Sequence, residues 1–293
     1  MASMPSQAYE ARPGVQLMPV RTPTLPPATH TNALLVGYEA FCLVEPASPF
    51  AEEVDRLAEW VTTRRRAGHS LVAILLTHHH PDHAGGAAQL AKRLGAPIWA
   101  HAQTAQRLAG TLSVSRLLED GEQIDLGGRT PFSLTALHTP GHAPGHLCFW
   151  EPASRVLIAG DMVASVGTIV VDPSDGGDMR AYLASLARLD ALDASLLLPA
   201  HGEPVDQPRA LLSFYVQHRL MRERRIVDAL IELGGRATVD ALLPVAYADK
   251  GRFPWSLAKS AAEAHLAKLE AEGRVRRAGA DFVFIGEAAR SAE

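Results

Sequence analysis

Four short segments of the chain carry residues able to do chemistry: His78-His79-His80-Pro81-Asp82-His83, Thr139-Pro140-Gly141-His142, Gly160-Asp161 and Ala200-His201-Gly202. Eight of the 13 histidines (His78, His79, His80, His83, His138, His142, His146 and His201) lie at the ends of apolar runs. A single histidine there is ordinarily a satisfied polar residue, so no one segment decides anything. Together they are harder to explain that way. Imidazole and carboxylate suit Zn and Fe, and five His with two Asp fill two neighbouring metal sites sharing a bridging group. Two ions about 3.5 to 4 Å apart can share a hydroxide, because bound water is acidified to a pKa of about 7, and can polarise the oxygen under attack. Carboxylates among the ligands would then hold the metals and orient the hydroxide.

These segments need rigid supports. Thr31 to Val36 and Ala40 to Val44 read as a strand hairpin, and Leu71 to Leu76 as a buried strand running straight into the histidine cluster. Phe132 to Leu137, Leu147 to Trp150, Val156 to Ala159 and Ser195 to Leu198 read as further strands. Ala51 to Ala67 and Ala87 to Leu94 show helical spacing, and Asp178 caps a helix through Leu192. Mixed strands and helices in this order imply sheets covered by helices. The first 29 residues hold six of the 20 prolines and read as an extended arm, with Val15 to Val20 as an edge strand. After Pro208 come a helix over Arg209 to Leu233, then Val239 to Ala246, Leu257 to Glu272, and strands Val275 to Arg277 and Phe282 to Ile285. Helix, helix, helix and β-hairpin is the order of a winged helix.

The division is therefore an arm (1–29), a metal-binding domain (30–208) and a winged-helix-like domain (209–293). With 293 residues, 47% hydrophobic and 20% charged, the chain is neither disordered nor fibrous nor a disulfide miniprotein. Its longest aliphatic stretch, Leu71 to Leu76, falls far short of the ~20 apolar residues of a membrane helix. No membrane partner is expected. The start, MASMPSQAYEARPG, lacks the pattern of a secretory signal, and Cys42 and Cys148 sit in apolar runs, so a cytoplasmic protein with two reduced thiols is expected. Net charge is -4, split as -7 over residues 1–208 and +3 over 209–293. Such a split is ordinarily a solvated surface.

HxHxDH after a buried strand, followed in order by TPGH, GD and HG, resembles the metallo-β-lactamase superfamily. The resemblance implies an α/β (α+β) chain folded as an αββα sandwich, followed here by the small winged-helix-like domain. It implies His78, His80 and His142 on a first metal, Asp82, His83 and His201 on a second, and Asp161 bridging, with Asp82 and Asp161 as the catalytic pair. His138 and His146 would be hydrogen-bond partners rather than ligands. Two departures stand out. Where the superfamily usually has an Asp after its early hairpin, this chain reads Val44-Glu45-Pro46-Ala47-Ser48, with Glu45 as the stand-in. Asp161 replaces the Cys or Ser of many dizinc β-lactamases, which argues against β-lactam cleavage. Gly167-Thr168, the Tyr182 helix and YVQHRLMRERRI from Tyr215 to Ile226 narrow the likeness to the beta-lactamase-like protein 2 family. Its members are associated with single-strand RNA cleavage, and relatives of this build act as thioesterases.

The expected function is a dinuclear metal-dependent hydrolase, with two divalent ions and Zn favoured, acting through a metal-bridging hydroxide on an ester, thioester or related acyl bond. Met162 to Val171 follows a ligand directly and is apolar, without Lys or Arg, which suits a small-molecule acyl substrate better than a phosphate backbone. A single-strand endoribonuclease is the alternative. An iron oxidoreductase is opposed by the full second set Asp82, His83 and His201, and a non-catalytic regulator by the absence of any lost ligand. The C-terminal domain is expected to pack on the metal domain and shape its entrance: Leu257 to Glu272 carries Lys259 and Lys268 against Glu263, Glu270 and Glu272. Arg219, Arg222, Arg224, Arg225, Arg274, Arg276 and Arg277 keep RNA open. Oligomeric state is not legible in the sequence.

Overall fold

The computed structural model describes residues 7–249 and 255–286; the first six residues of the arm and the last seven of the chain lie outside them. Alternation of apolar residues builds the first sheet. Its strands are β1 (Tyr9–Arg12), β2 (Val15–Arg21), β3 (His30–Gly37), β4 (Ala40–Val44), β5 (Ser70–Leu75), β6 (Ile98–His101) and β7 (Arg116–Leu118), hydrogen-bonded in chain order. Antiparallel pairing up to β4 gives way to parallel pairing from β4 to β7. Parallel neighbours need crossovers. Helices α1 (Ala51–Arg66), α2 (Pro81–Ala84), α3 (Ala87–Leu94) and α4 (Ala102–Arg107) lie in the connections.

The second sheet runs in the order β12, β11, β10, β9, β8. Its members are β8 (Gln123–Asp125), β9 (Ser133–His138), β10 (Leu147–Glu151), β11 (Val156–Gly160) and β12 (Leu196–Pro199), and helix α5 (Met179–Asp190) precedes β12. Leu34, Val36, Cys42, Val44 and Leu75 of the first sheet meet Leu134, Leu147, Phe149, Ile158 and Leu198 of the second in one core. The alternate residues face outward, Leu35, Leu43 and Ile74 onto Val54, Leu57, Val61 and Leu90 of α1 and α3, and Leu137, Leu157 and Leu197 onto Tyr182, Leu186 and Leu189 of α5. The period of two thus buries both faces of both sheets, which is the αββα sandwich.

The remainder comprises α6 (Pro208–Glu232), β13 (Arg236–Thr238), α7 (Val239–Ala246), α8 (Trp255–Ala271), β14 (Val275–Ala278) and β15 (Asp281–Phe284), with the three strands ordered β13, β15, β14. This is a winged helix with its own core of Ile226, Leu230, Leu242, Leu266, Leu269 and Phe282. Helix α6 is shared: Leu212 and Tyr215 belong to the sandwich, whereas Ile226 and Leu230 belong to the winged helix.

Two expectations are corrected. Within the first 29 residues, Tyr9–Arg12 and Val15–Arg21 join the first sheet, and Val15 to Val20 is not the edge expected: β2 pairs with β3 from Val15 to Arg21 and carries β1 on its other side, so β2 is internal and β1 is the edge. Arg219 and Arg222 are buried rather than surface residues.

Candidate metal centre

The four candidate segments all leave the ends of strands, where backbone direction is fixed by the sheets. His78 follows β5, and Pro81 at the first position of α2 starts the turn that carries Asp82 and His83. His142 lies between β9 and β10, Asp161 directly follows β11, and His201 follows β12. Two glycines make the close approaches possible. A Cβ at Gly160 (φ +50°) would stand 2.5 Å from His146 Nε2, and one at Gly141 (φ +138°) 2.2 Å from the Tyr182 backbone.

All seven side chains converge. His78 Nε2, His80 Nδ1 and His142 Nε2 lie 2.9, 3.0 and 3.2 Å from one another. Asp82, His83 and His201 form a second triad, and a third grouping joins His78, His83 and Asp161. Asp161 lies between the triads: Oδ2 is 3.4 Å from His142 Nε2 and 3.5 Å from His83 Nε2, while Oδ1 is 3.4 Å from His201 Nε2.

The far nitrogen of each histidine is already engaged. His80 Nε2 donates to Asp175 Oδ2 (2.8 Å), His83 Nδ1 to Glu45 Oε2 (3.0 Å), His142 Nδ1 to the Val170 carbonyl (2.6 Å) and His201 Nδ1 to the His30 carbonyl (2.9 Å). His78 Nδ1 donates to Thr77 Oγ1 (2.9 Å), whose hydroxyl proton goes to Glu45 Oε1 (2.5 Å). With those protons fixed outward, the inner nitrogens point lone pairs at one another, which is repulsive unless a cation stands among them. Spacings near 3 Å approach the edge of a tetrahedron whose ligands stand about 2.0 Å from its centre. His83 Nε2 and Asp161 Oδ1 are buried without a hydrogen-bond partner among the described residues, as ligand atoms awaiting an ion would be.

The electrostatics agree. Burial, reinforced by neighbouring imidazoles, holds His78 well below its ordinary pKa, and burial lowers His142 to about 4, so both stay neutral. Burial disfavours the charged form of Asp161, but His83 and His201 outweigh it and hold the carboxyl well below its usual range. Burial likewise opposes charge on His83, yet Glu45, Asp161 and Asp82 raise its pKa well above normal. Neutral His78 and His142 with ionised Asp161 are donors that a divalent cation requires, and the carboxylates that favour a proton on His83 would favour a cation in its place.

His146 and His138 stand outside this set. His146 Nε2 accepts the Asp161 N–H (3.0 Å), and His138 donates to the Pro144 carbonyl (2.8 Å) in the loop that carries His142. Several supporting residues carried no sequence signal. Asn32 Nδ2 donates to Pro199 and Gly202 and pins the His201 loop (2.9 and 2.7 Å), and Asp175 anchors His79 as well as His80. Thr24 Oγ1 stands 3.4 Å from His201 Nε2. A cavity of about 210 Å³ opens over the cluster, walled by Pro23, Thr24, Leu25 and Ala28 on one side and Val166, Gly167, Thr168 and Val170 on the other. Met162 and Val163, expected with the rest of their segment at the wall, are instead buried in the outer core.

Residues 28–201 match the metallo-beta-lactamase superfamily, and residues 238–282 match the beta-lactamase associated winged helix domain. The chain belongs to the metallo-beta-lactamase superfamily. It is similar to the beta-lactamase-like protein 2 homolog of Caenorhabditis elegans, 29% identical over 78% of this chain and 73% of that one. It is also similar to the atrochrysone carboxyl ACP thioesterase of Aspergillus chevalieri, 29% identical over 80% of this chain and 72% of the relative. Among solved structures, a metallo-beta-lactamase family protein from Thermus thermophilus superposes with a TM-score of 0.74 at 26% identity, covering 94% of this chain and all of its own. Family, fold and the His/Asp cluster make this superfamily member a metal-dependent hydrolase. No helix of the described residues is long and apolar enough to cross a membrane.

Proposed function

We propose that the chain is a dinuclear hydrolase of ester, thioester or related acyl bonds. His78, His80 and His142 would hold one ion, Asp82, His83 and His201 the other, and Asp161 would link them. Zn is the favoured ion, since tetrahedral imidazole and carboxylate sites suit it. Bound there, such ions would polarise the acyl oxygen and furnish a hydroxide nucleophile at neutral pH. The observation that carries the reading is the Asp161 carboxylate, within 3.5 Å of a ligand nitrogen on either side.

The chain's own groups divide the remaining work. Asp161, buried and ionised, fixes the spacing of the two sites. Asp82 is half-buried, lines the cavity, and would take a proton from the attacking water and return it to the leaving group. Pro23, Leu25, Ala28, Val166 and Val170 exclude water and contact an apolar acyl group. The thioesterase among the relatives supports the acyl class.

RNA cleavage is the less supported reading. Among the described residues, the cavity wall has no Lys, Arg, Phe, Tyr or Trp, so apart from the ions themselves a phosphate backbone would find no cationic side chain and no stacking ring there. The two buried thiols, Cys42 and Cys148, are compatible with a reducing, cytoplasmic setting. A parallel screen of thioesters, lactones, phosphodiesters and single-stranded RNA with metal-loaded protein tests the substrate class. Turnover of RNA alone would overturn the acyl assignment.

A further inference from the structure

A second cavity of about 250 Å³ lies beside the first, between the loop after Asp161 and the helices of the winged-helix domain. Gly167, Thr168 and Val170 line both, so the two volumes share a wall three residues wide. The rest of the second cavity is largely apolar: Ile169, Phe214, Tyr215, Leu257 and Ala261. Four of its lining residues, His218, Arg219, Arg222 and Tyr247, break that pattern; the Arg222 guanidinium is taken up by the Ala246 carbonyl and Asp249, whereas two of the others carry an unmet polar atom. Tyr247 Oη and Arg219 Nε are buried and have no hydrogen-bond partner among the described residues. Residues 7% and 4% exposed do not normally forgo such bonds, because each unmet group costs on the order of 1–3 kcal/mol. Burial pushes the Tyr247 hydroxyl up to about 12, so it keeps its proton and can donate.

We infer that this cavity binds the body of an elongated acyl substrate, apolar along most of its length and bearing an oxygen that accepts hydrogen bonds from Tyr247 Oη and Arg219 Nε. The scissile carbonyl would lie at the metal cluster, and the chain would cross Gly167 and Thr168. Together the two cavities fall within the roughly 300–1,000 Å³ of small-molecule sites. The same loop joins them mechanically, since the Ile169 carbonyl accepts from Arg219 Nη2 (2.5 Å) and the next carbonyl, of Val170, accepts from His142. This inference rests on the acyl reading above and makes it more specific.

The test uses the full chain loaded with Zn and the 4-nitrophenyl esters of acetate, octanoate and octanoates with a keto group at carbon 5, 6 or 7. From acetate to octanoate, kcat/KM is expected to rise at least about tenfold, as burial of extra methylenes requires. One keto position should add about fivefold more, the worth of a neutral hydrogen bond. Ala261→Trp, which fills the cavity, should bring the octanoate-to-acetate ratio near one. Tyr247→Phe, which removes only an unpartnered hydroxyl, should erase the keto gain and keep the chain-length gain. Calorimetric titration of the corresponding keto-octanamide into metal-free protein gives a readout independent of turnover, and Tyr247→Phe should weaken it. Equal rates for all esters together with no binding heat would overturn the cavity assignment and leave the hydrolase reading standing. A length preference that survives Ala261→Trp in folded protein, or a keto gain that survives Tyr247→Phe, would also overturn it. Binding heat without hydrolysis of any ester would support the cavity and remove the hydrolase reading.

Discussion

Tyr215 Oη accepts the Ala164 N–H and donates to the Ala164 carbonyl, each at 3.0 Å. One hydroxyl on α6 thus replaces the backbone pairing that the loop after Asp161 gives up on leaving the sheet, and ties the winged-helix side of the molecule to the wall of the metal cavity. Tyr215→Phe would leave both Ala164 groups buried and unmet. A loss of about 2 kcal/mol in urea denaturation is expected, with a several-fold fall in kcat. Unchanged stability would mean that water takes over both bonds and that the clamp is unimportant.

Asp161→Asn keeps the shape of the side chain proposed to bridge the two sites and removes its charge. Metal content should fall from two ions per chain to one or fewer, and kcat/KM by more than about a hundredfold, while the circular dichroism spectrum is retained. Two tightly held ions and near-normal turnover in this variant would refute the assignment of Asp161 to both sites.

Glu45 receives His83 Nδ1 on one oxygen and Thr77 Oγ1 on the other, and so steadies a histidine in each triad, His83 directly and His78 through Thr77. It holds this pose from a backbone φ of +58°, outside the ordinary range for a glutamate. Glu45→Gln should weaken metal affinity by roughly 10- to 100-fold, as loss of a partner behind a ligand does. Competition with a chelator measures it, and wild-type affinity would show that His83 needs no such support.

How much of this was legible in the sequence follows from how the information is stored. The candidate ligands fall in compact motifs at strand ends, so His78, His80, Asp82, His83, His142, Asp161 and His201 could be named without coordinates, and the structure brings all seven into one cluster. Their supports come from distant segments with no local pattern: Asn32 reaches residue 202, and Asp175 sits in an acidic stretch whose legible member was the helix cap Asp178. Pro19 made β2 read as an edge strand, since proline cannot donate to a ladder. That reading is locally sound, because β1 pairs only with Val15 to Leu17 and ends before Pro19. Strands β7 and β8, three residues each, are too short for alternation to register. Arg219 and Arg222 read as solvated basic residues, because nothing in a helical repeat reveals that a guanidinium will be covered by a neighbouring helix and loop.

Acid should loosen the winged helix. Burial opposes ionisation of Glu223, but hydrogen bonds from His265 and Lys268 outweigh it and lower its pKa; burial lowers His265 as well. Both folded values lie below the unfolded ones, so in each interval the unfolded chain binds more protons and stability rises with pH. The His265 contribution is complete above about 6.5 and is lost as pH falls through its lowered value; that of Glu223 is complete above about 4.5 and is lost below. Glu223→Gln should cost about 3 kcal/mol at pH 7, since it leaves Lys268 and Arg274 without their buried counter-charge. It should also flatten the acid limb of the stability profile. A profile as steep as that of the parent would exclude Glu223 as its source.

The basic C-terminal part has far fewer cations to offer a phosphate backbone than its sequence suggests. Arg219 and Arg222 are buried, Arg225 pairs with Asp249, and Arg274 pairs with Glu223. Of the seven arginines considered for RNA, Arg224, Arg276 and Arg277 remain exposed without an ion pair among the described residues. Each phosphate neutralised on a single strand contributes about -0.7 to the slope of log affinity against log salt, so these three arginines account for a slope no steeper than about -2. Titration of a fluorescent single-stranded oligonucleotide at roughly 50 to 300 mM salt should therefore give weak, shallowly salt-dependent binding. Replacing Arg224, Arg276 and Arg277 together by Gln should abolish what binding there is while leaving ester turnover unchanged, because none of the three lines either cavity. A slope near about -5, or binding that survives the triple variant, would require a nucleic-acid surface elsewhere on the molecule and would reopen the endoribonuclease reading.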